Sequence, residues 1–485
     1  MQSPASGSAA RLLPALLAGL LGLAGCQTYN SKSAGMYSAW QGGNAEAAAS
    51  EATRRAEEAA GGRDELLWRL EQGTTLAKAG QLENSTEAFD RAESLVNQFE
   101  NDAKIKLGGR TASLLTNQAV LPYRGRAYDK IMMNAYKALN YMEADNPAAA
   151  RVELNRAMQR QRDAVDENSR RIQEAVDQAE AARKGRLEKT DGSTAPGYDV
   201  ARAQEDPRFA NATEAEMNRL EDHILPYADY VNPFAVFLDG LFFCYYGVDG
   251  SDLERARKSF ERVAAMSPGP YTEADRAMAE RVASGGPVDI VTYLVFATGS
   301  APTRSENKIE IPLWLVSREV SYVAASFPRL EFSSRYSPQL IAFNNDGEEY
   351  PTQMLCSMDS VIARDFRNEW PAVMTNTLLT TAVKALAGYA LEDSVKREDE
   401  AVRFLAQIVN IGYQASTNVA DLRTWTTLPK AFTYVRMPTP EDGQVNFKAG
   451  MYDSSVEVVP GKANFILVRS VNSSAFPIVS HFTLN

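Results

Sequence analysis

Across Ser284-Gly285-Gly286-Pro287 the spacing of apolar residues changes, and no single class of secondary structure accommodates both sides. Upstream, apolar residues recur at three- and four-residue steps, the period of an amphipathic helix. Downstream they come as short β-branched and aromatic runs, beginning with Val288-Asp289-Ile290-Val291-Thr292-Tyr293-Leu294-Val295-Phe296, which reads as a buried strand. The chain is therefore predicted to be α+β and multidomain, with an all-α region over 63–284 and a β-rich, sandwich-like domain over 285–485. At 485 residues, 45% of them hydrophobic and 23% charged, it can bury proper cores without disulfides.

In the helical region, Leu66, Leu67, Leu70, Gly73, Leu76 and Ala77 form one stripe, Gly80 breaks it, and Ala88, Phe89, Ala92, Leu95 and Val96 resume it. This helix–turn–helix resembles a tetratricopeptide repeat of about 34 residues: Gly73 stands where the helices approach, and Leu76 and Phe89 fill the gap. A second unit fits with Ala138, Tyr141, the turn Asp145-Asn146-Pro147, Ala150, Leu154 and Ala157. A looser third has Gly240 and Phe243, the turn Gly247-Val248-Asp249-Gly250, a capping box of Ser251 with Glu254, then Ala256, Phe260, Val263 and Pro268. The units are unevenly spaced, and the same helices also suit a generic bundle with no groove for a partner. Arg156 to Glu188, dense in charge, reads as a long, mostly solvated helix extending the second unit. Lys189 to Gly197 reads as a loop and the polar run to Asn211 as irregular, with helix returning around Thr213 to His223.

Beyond Pro287, further strands are expected at Lys308 to Leu315, Val320 to Ala324, Gln339 to Phe343 and Glu349 to Leu355, the last two flanking the hairpin turn Asn344-Asn345-Asp346-Gly347. A helical hairpin is inserted at about 359–418, and its polar interruptions at Thr375, Asn376, Thr380, Thr381 and Lys384 favour packing on the sheet over membrane insertion. The closing strands are Thr424 to Val435, Val445 to Lys448, Ser454 to Val459, Asn464 to Val471 and Ile478 to Leu484.

The first residues carry an address. Arg11, the apolar run Leu12 to Gly22 and then Leu23-Ala24-Gly25-Cys26 read as a bacterial lipoprotein signal peptide over 1–25, cleaved between Gly25 and Cys26, with lipid attached to Cys26. The run is too short to cross roughly 30 Å of hydrocarbon as a helix. Residues 26–62, rich in Ala, Gly, Ser and Gln, are expected to be a lipidated flexible tether of roughly 30–35 Å reach, with partial helix open for Ala45 to Ala60. Gln27 after the cysteine favours the outer membrane, periplasmic face, by the sorting rule familiar from bacterial lipoproteins. After cleavage the chain carries 50 basic against 62 acidic side chains, net −12, which argues against a nucleic-acid partner. Arg54-Arg55 and Arg170-Arg171 are read as solvated helix faces. Cys244 and Cys356 remain; their pairing is open, and buried free thiols are the preferred reading.

Pro122-Tyr123-Arg124-Gly125, Tyr128-Asp129-Lys130 and Tyr136-Lys137-Ala138-Leu139-Asn140-Tyr141 together resemble the signature of a family of bacterial outer-membrane lipoproteins with no assigned activity. The same pattern continues in Asn232-Pro233-Phe234-Ala235, Gly299-Ser300-Ala301-Pro302, and Asp421-Leu422-Arg423-Thr424-Trp425 with Leu428-Pro429, where Leu422 departs from the family's small polar residue. The resemblance implies a helical repeat region followed by a β-rich domain in the envelope and brings no catalytic residues. It makes Tyr123, Gly125, Tyr128, Tyr136, Asn140 and Tyr141 candidates for partner binding, although Tyr128, Met132, Tyr136 and Leu139 at helical spacing also suit repeat core. Asp421, Arg423 and Trp425 suit an ion pair beside a packed indole.

No motif names a reaction. His223 and His481 are the only histidines, and neither has metal-ligand spacing to Cys or acidic partners, so no metal and no cofactor are expected. There is no nucleophile elbow, no His-Glu-x-x-His and no phosphate-binding glycine loop. Cys356 with His481 is the one nucleophile–base pairing to weigh, and carboxylate pairs such as Glu348-Glu349 suit solvated faces. The favoured reading is a lipid-anchored, non-catalytic scaffold that binds an envelope protein or peptide through its helices. The rival is an envelope glycan-binding protein or enzyme with its site between the helical and β-rich parts, where Trp314, Trp370 or Trp425 would stack on sugars.

Overall fold

The structure is a computed structural model that describes residues 29–106, 119, 121–187, 194, 197–317, 320–395 and 420–484. The signal peptide, Gly25 and Cys26, most of the loop at 189–197 and the second insertion helix, Glu398 to Asn418, lie outside the described residues.

The helices before the first strand are α1 (Tyr29–Gln41), α2 (Ala45–Glu58), α3 (Glu65–Lys78), α4 (Leu82–Lys106), α5 (Ala127–Glu143), α6 (Pro147–Arg183), α7 (Val200–Gln204), α8 (Pro207–Glu221), α9 (Pro233–Tyr246), α10 (Gly250–Met266) and α11 (Pro270–Ala283). Their ends follow local chemistry. Between α3 and α4 the chain turns at Gly80, with φ +76°. Asn146 Oδ1 accepts from the Ala149 N–H at 3.1 Å, and Pro147 follows as the first residue of α6. Between α3 and α4 a Cβ on Gly73 would stand 2.5 Å from the Phe89 ring, and between α9 and α10 one on Gly240 would stand 3.2 Å from the Phe260 ring. Glycine lets each pair close over a phenylalanine.

Three helical expectations change. The tether expected over 26–62 is, from Tyr29, two packed helices: Tyr29, Met36, Trp40, Ala48, Ala52 and Ala56 are all buried. Alanines four residues apart make a narrow apolar stripe that an Ala- and Gly-rich composition hides. The polar run before Thr213 already contains α7 and α8, because Asp206 accepts from the Arg208 and Phe209 amides ahead of Pro207 and Phe209 anchors the helix in the core. Asp249 caps α10, in place of the Ser251–Glu254 box, by accepting from the Asp252 N–H at 3.0 Å.

The strands are β1 (Val291–Thr298), β2 (Thr303–Pro312), β3 (Tyr322–Glu331), β4 (Leu340–Phe343), β5 (Glu349–Pro351), β6 (Gln353–Ser357), β7 (Ala431–Pro438), β8 (Gln444–Ala449), β9 (Tyr452–Glu457), β10 (Ala463–Ser470) and β11 (Ile478–Leu484), with α12 (Met358–Val395) between β6 and β7. A five-stranded sheet runs β11-β10-β1-β7-β6, a four-stranded sheet β5-β4-β8-β9, and β2-β3 form a separate ribbon. In the larger sheet β1 pairs with β10 in parallel and with β7 antiparallel. The run read as one strand, Glu349 to Leu355, breaks at Thr352 and serves both sheets as β5 and β6. The strand expected from Thr424 begins only at Ala431.

Period-2 alternation assigns the two faces of the larger sheet. Leu294, Phe296, Val435, Met437, Ile466 and Val468 face Leu340, Ala342, Val445 and Phe447 of the smaller sheet. Tyr293, Val295, Phe432, Tyr434, Phe465 and Leu467 face the helices. Helices, sheet and sheet thus form three layers, and the loop at Ser284–Pro287 separates helix from strand but not core from core. Phe234 of α9 stacks on Phe432 of β7 at 3.8 Å between ring centroids. Among the described residues no helix is long and apolar enough to cross a membrane. Cys244 and Cys356 are both buried free thiols.

Candidate functional site

The segment 121–126 leads into α5 and is shaped by its own residues. The Tyr123 N–H donates to the Arg63 carbonyl at 2.7 Å, and Gly125 turns the chain at φ +76°, where a Cβ would meet Leu66 at 3.4 Å. Asp129, at the start of α5, accepts from the Arg126 N–H at 2.8 Å and from the Tyr123 hydroxyl at 2.5 Å. Across from it the segment 420–428 carries Arg423, whose guanidinium donates to Asp421 at 2.8 Å, to Asp64 at 3.0 Å and to the Leu121 carbonyl at 2.9 Å. The guanidinium also lies over the Tyr123 ring at 5.3 Å, so two segments far apart in the chain meet here.

Beside this junction lies a cleft of about 340 Å³, walled by the two segments, by α6, by α12 and by the β2-β3 ribbon. That is the lower end of small-molecule sites. Its electrostatics centre on Glu369 of α12, which receives Arg126 at 3.1 Å and Arg171 of α6 at 3.2 Å, with Arg304 of β2 at 3.8 Å. Burial by itself would raise the Glu369 carboxyl, but these three guanidiniums overcome it and hold it below the ordinary carboxylate range. One turn earlier Asp365 is pushed well up, first by burial and then by the neighbouring Glu369 charge, and neither of its oxygens has a hydrogen-bond partner. Arg171 also pairs with Glu167, which receives Lys130 at 3.1 Å.

Of the six candidate partner-binding residues, Tyr123 and Gly125 line the cleft. Tyr128 is buried, its hydroxyl unpartnered and its phenol pushed up by burial and by the Asp129 charge. Tyr136, Asn140 and Tyr141 lie further along α5 and are not brought to it. Tyr136 packs edge-on against Trp425 at 5.8 Å, Asn140 donates to Ser85 at 2.8 Å, and Tyr141 is a partly buried flank of the helical core. Asp421 and Arg423 form the expected ion pair, and Trp425 is the expected packed indole, seated between Phe89 and Tyr136 on an irregular segment. Trp370 is likewise core, while Trp314 stays exposed under Arg202.

Of the pair Arg170-Arg171, Arg170 lies on the expected solvated face, whereas Arg171 lines the cleft. Arg304 and Glu369 carried no local mark of a site. The one available signal was Asp365 and Glu369 at an i, i+4 spacing between Ile362, Phe366 and Trp370, a like-charged pair on an apolar face that only outside cations could support.

The nucleophile and base weighed in the sequence stand on opposite edges of the five-stranded sheet. Cys356 is in β6 and His481 in β11, about 19 Å apart at the usual strand spacing. Burial pushes the Cys356 thiol up to about 12, away from a thiolate. Among the described residues no group of three His, Cys, Asp or Glu side chains is arranged to hold a metal. Compared with protein-family models, curated proteins and solved structures, the chain has no significant match.

Proposed function

We propose that this is a lipid-anchored, non-catalytic binding protein of the bacterial envelope whose recognition site is the cleft between the helical and β-rich parts. The observation that carries this reading is the unmatched guanidinium of Arg304 inside a formed, polar cleft, at the junction of two family-like motifs. A groove of tetratricopeptide-like helices is the second reading, and the glycine–phenylalanine contacts at Gly73–Phe89 and Gly240–Phe260 favour it. Between α3, α4 and α5, however, that groove is filled by the chain's own Trp425, whose Nε1 donates to Thr74 at 3.1 Å. A peptide partner would have to displace it.

The anchor belongs to the same proposal. Tyr29 is buried three residues after Cys26, so lipid on Cys26 would hold the body within about 11 Å of the membrane surface. Cys26→Ser protein should leave the membrane fraction; fractionation like that of the wild type would end the anchor claim.

To test the cleft, mature protein purified in detergent is exposed to the small-molecule fraction of an envelope extract, washed, and its bound compounds identified by mass spectrometry. A compound retained by wild type and lost in Thr377→Trp, which fills the cleft, supports the reading. Equal retention by both rejects it, and a stoichiometric protein partner that tolerates Thr377→Trp restores the scaffold.

A further inference from the structure

Arg304 is the least satisfied buried cation of the cleft, its guanidinium lying over the Phe366 ring at 5.1 Å. Its side chain is 2% exposed, its Nε has no hydrogen-bond partner, and its ion-pair contact, Glu369 Oε2 at 3.8 Å, is beyond hydrogen-bonding range. Glu369 is already engaged by Arg126 and by Arg171, which also pairs with Glu167, so no carboxylate is left to Arg304 alone. Burial lowers the Arg304 pKa and the neighbouring Arg126 charge lowers it further, against the opposing pull of Tyr128, Glu369 and Asp421. Asp365, one turn from Glu369 on α12, has its pKa pushed well up by burial and by the Glu369 charge, and neither of its oxygens reaches a hydrogen-bond partner. A buried cation without a matched partner is costly, and a planar guanidinium is suited to a two-oxygen anion. An anion in the cleft would supply the partner that Arg304 lacks.

Two asparagines of the cleft add a second requirement. Asn168 and Asn376 line the cleft and each has a buried, unpartnered Oδ1, while Thr377 and Thr380 line it on the same helix as Asn376. An anionic group brings acceptors only and cannot satisfy an amide oxygen. Hydroxyl groups on the body of the ligand can.

We propose that the cleft binds a small carboxylate or phosphate carried on a hydroxyl-rich body, a sugar acid or a sugar phosphate, with its charge on Arg304, Arg126 and Arg171 and its hydroxyls on Asn168 and Asn376. This rests on the cleft being the binding site. The anionic end lies deep, against Arg304, and the hydroxyl-rich end toward the asparagines and threonines.

Titration calorimetry on the mature protein in detergent, with glucuronate, glucose 6-phosphate and neutral glucose, tests it. At least one acid should bind saturably and glucose should not; which acid binds separates a carboxylate ligand from a phosphate one. Arg304→Gln should weaken that acid tenfold or more. Arg171→Gln, whose side chain is 40% exposed and tolerates substitution better, should weaken it several-fold and keep the wild-type melting curve. The inference is overturned if neither acid binds better than glucose, or if folded Arg171→Gln binds as wild type does. A neutral envelope compound retained by wild type and lost in Thr377→Trp would overturn it while leaving the cleft as the binding site.

Discussion

The Glu71 carboxylate fastens Thr427, 356 positions later, by accepting from its N–H at 3.2 Å and its hydroxyl at 2.7 Å. The same carboxylate takes the N–H and hydroxyl of Thr426 and the Tyr29 hydroxyl. One buried side chain of α3 thereby ties the N-terminal helix and the 420–428 segment into a single core. Glu71→Gln puts an amide NH2 among donors and should cost about 1–3 kcal/mol, read as a lower melting temperature and faster amide exchange at Thr426 and Thr427. Unchanged exchange there would show that Glu71 does not hold the segment.

At Gly73 two effects oppose each other. Alanine would gain up to about 1 kcal/mol of helix propensity. Its Cβ would also lie 2.5–2.7 Å from three Phe89 ring carbons. The clash wins, so Gly73→Ala should be destabilised by roughly 1–3 kcal/mol. Adding Phe89→Leu makes room, and the double variant should melt higher than the sum of the single effects predicts.

Asp275 is fully buried and accepts from Tyr293, Tyr434 and Arg436. Burial outweighs these donors and raises its pKa from 3.8 to about 6. A raised carboxyl contributes stability that is complete below pH 3.8 and is lost as pH rises through about 6. The stability difference between wild type and Asp275→Asn should therefore shrink between pH 4 and pH 7, by an amount on the order of 3 kcal/mol. Paired thermal melts measure it, and a pH-independent difference would show that the group titrates as in the unfolded chain.

Cys244 and Cys356 are buried, and burial pushes both thiols up to about 12. Alkylation of the native mature protein should leave both unmodified, while denaturation without reductant should expose two free thiols. One disulfide, or labelling in the native state, would contradict the packing.

Much of the secondary structure was legible because it is written in neighbouring residues. Gly80 and Asp145-Asn146-Pro147 end and start helices where their own backbone preferences require, and Ile478 to Leu484 alternates as a strand should. The packing of Gly73 on Phe89 was legible too, since a helical turn relates the two sides of one hairpin. The misreadings have local causes. Alanine at positions 48, 52 and 56 is too small to signal a buried face by hydropathy, and Thr352 divides a run whose two halves serve different sheets.

The cleft was illegible for a different reason. Arg126 and Glu369 are 243 positions apart, Arg171 and Glu369 198. Locally each is an ordinary charged residue of a helix or helix start, and periodicity carries no record of which charge will face which. By itself the sequence determined the α+β order, the helix–turn–helix at Gly80, the turn at Asp145-Asn146-Pro147 and most of the strands after Pro287. Only the tertiary structure decided that Trp425 fills the helical groove and that Arg304 is left buried without a matched carboxylate, because solvation and charge pairing depend on what the rest of the chain brings within a few ångströms.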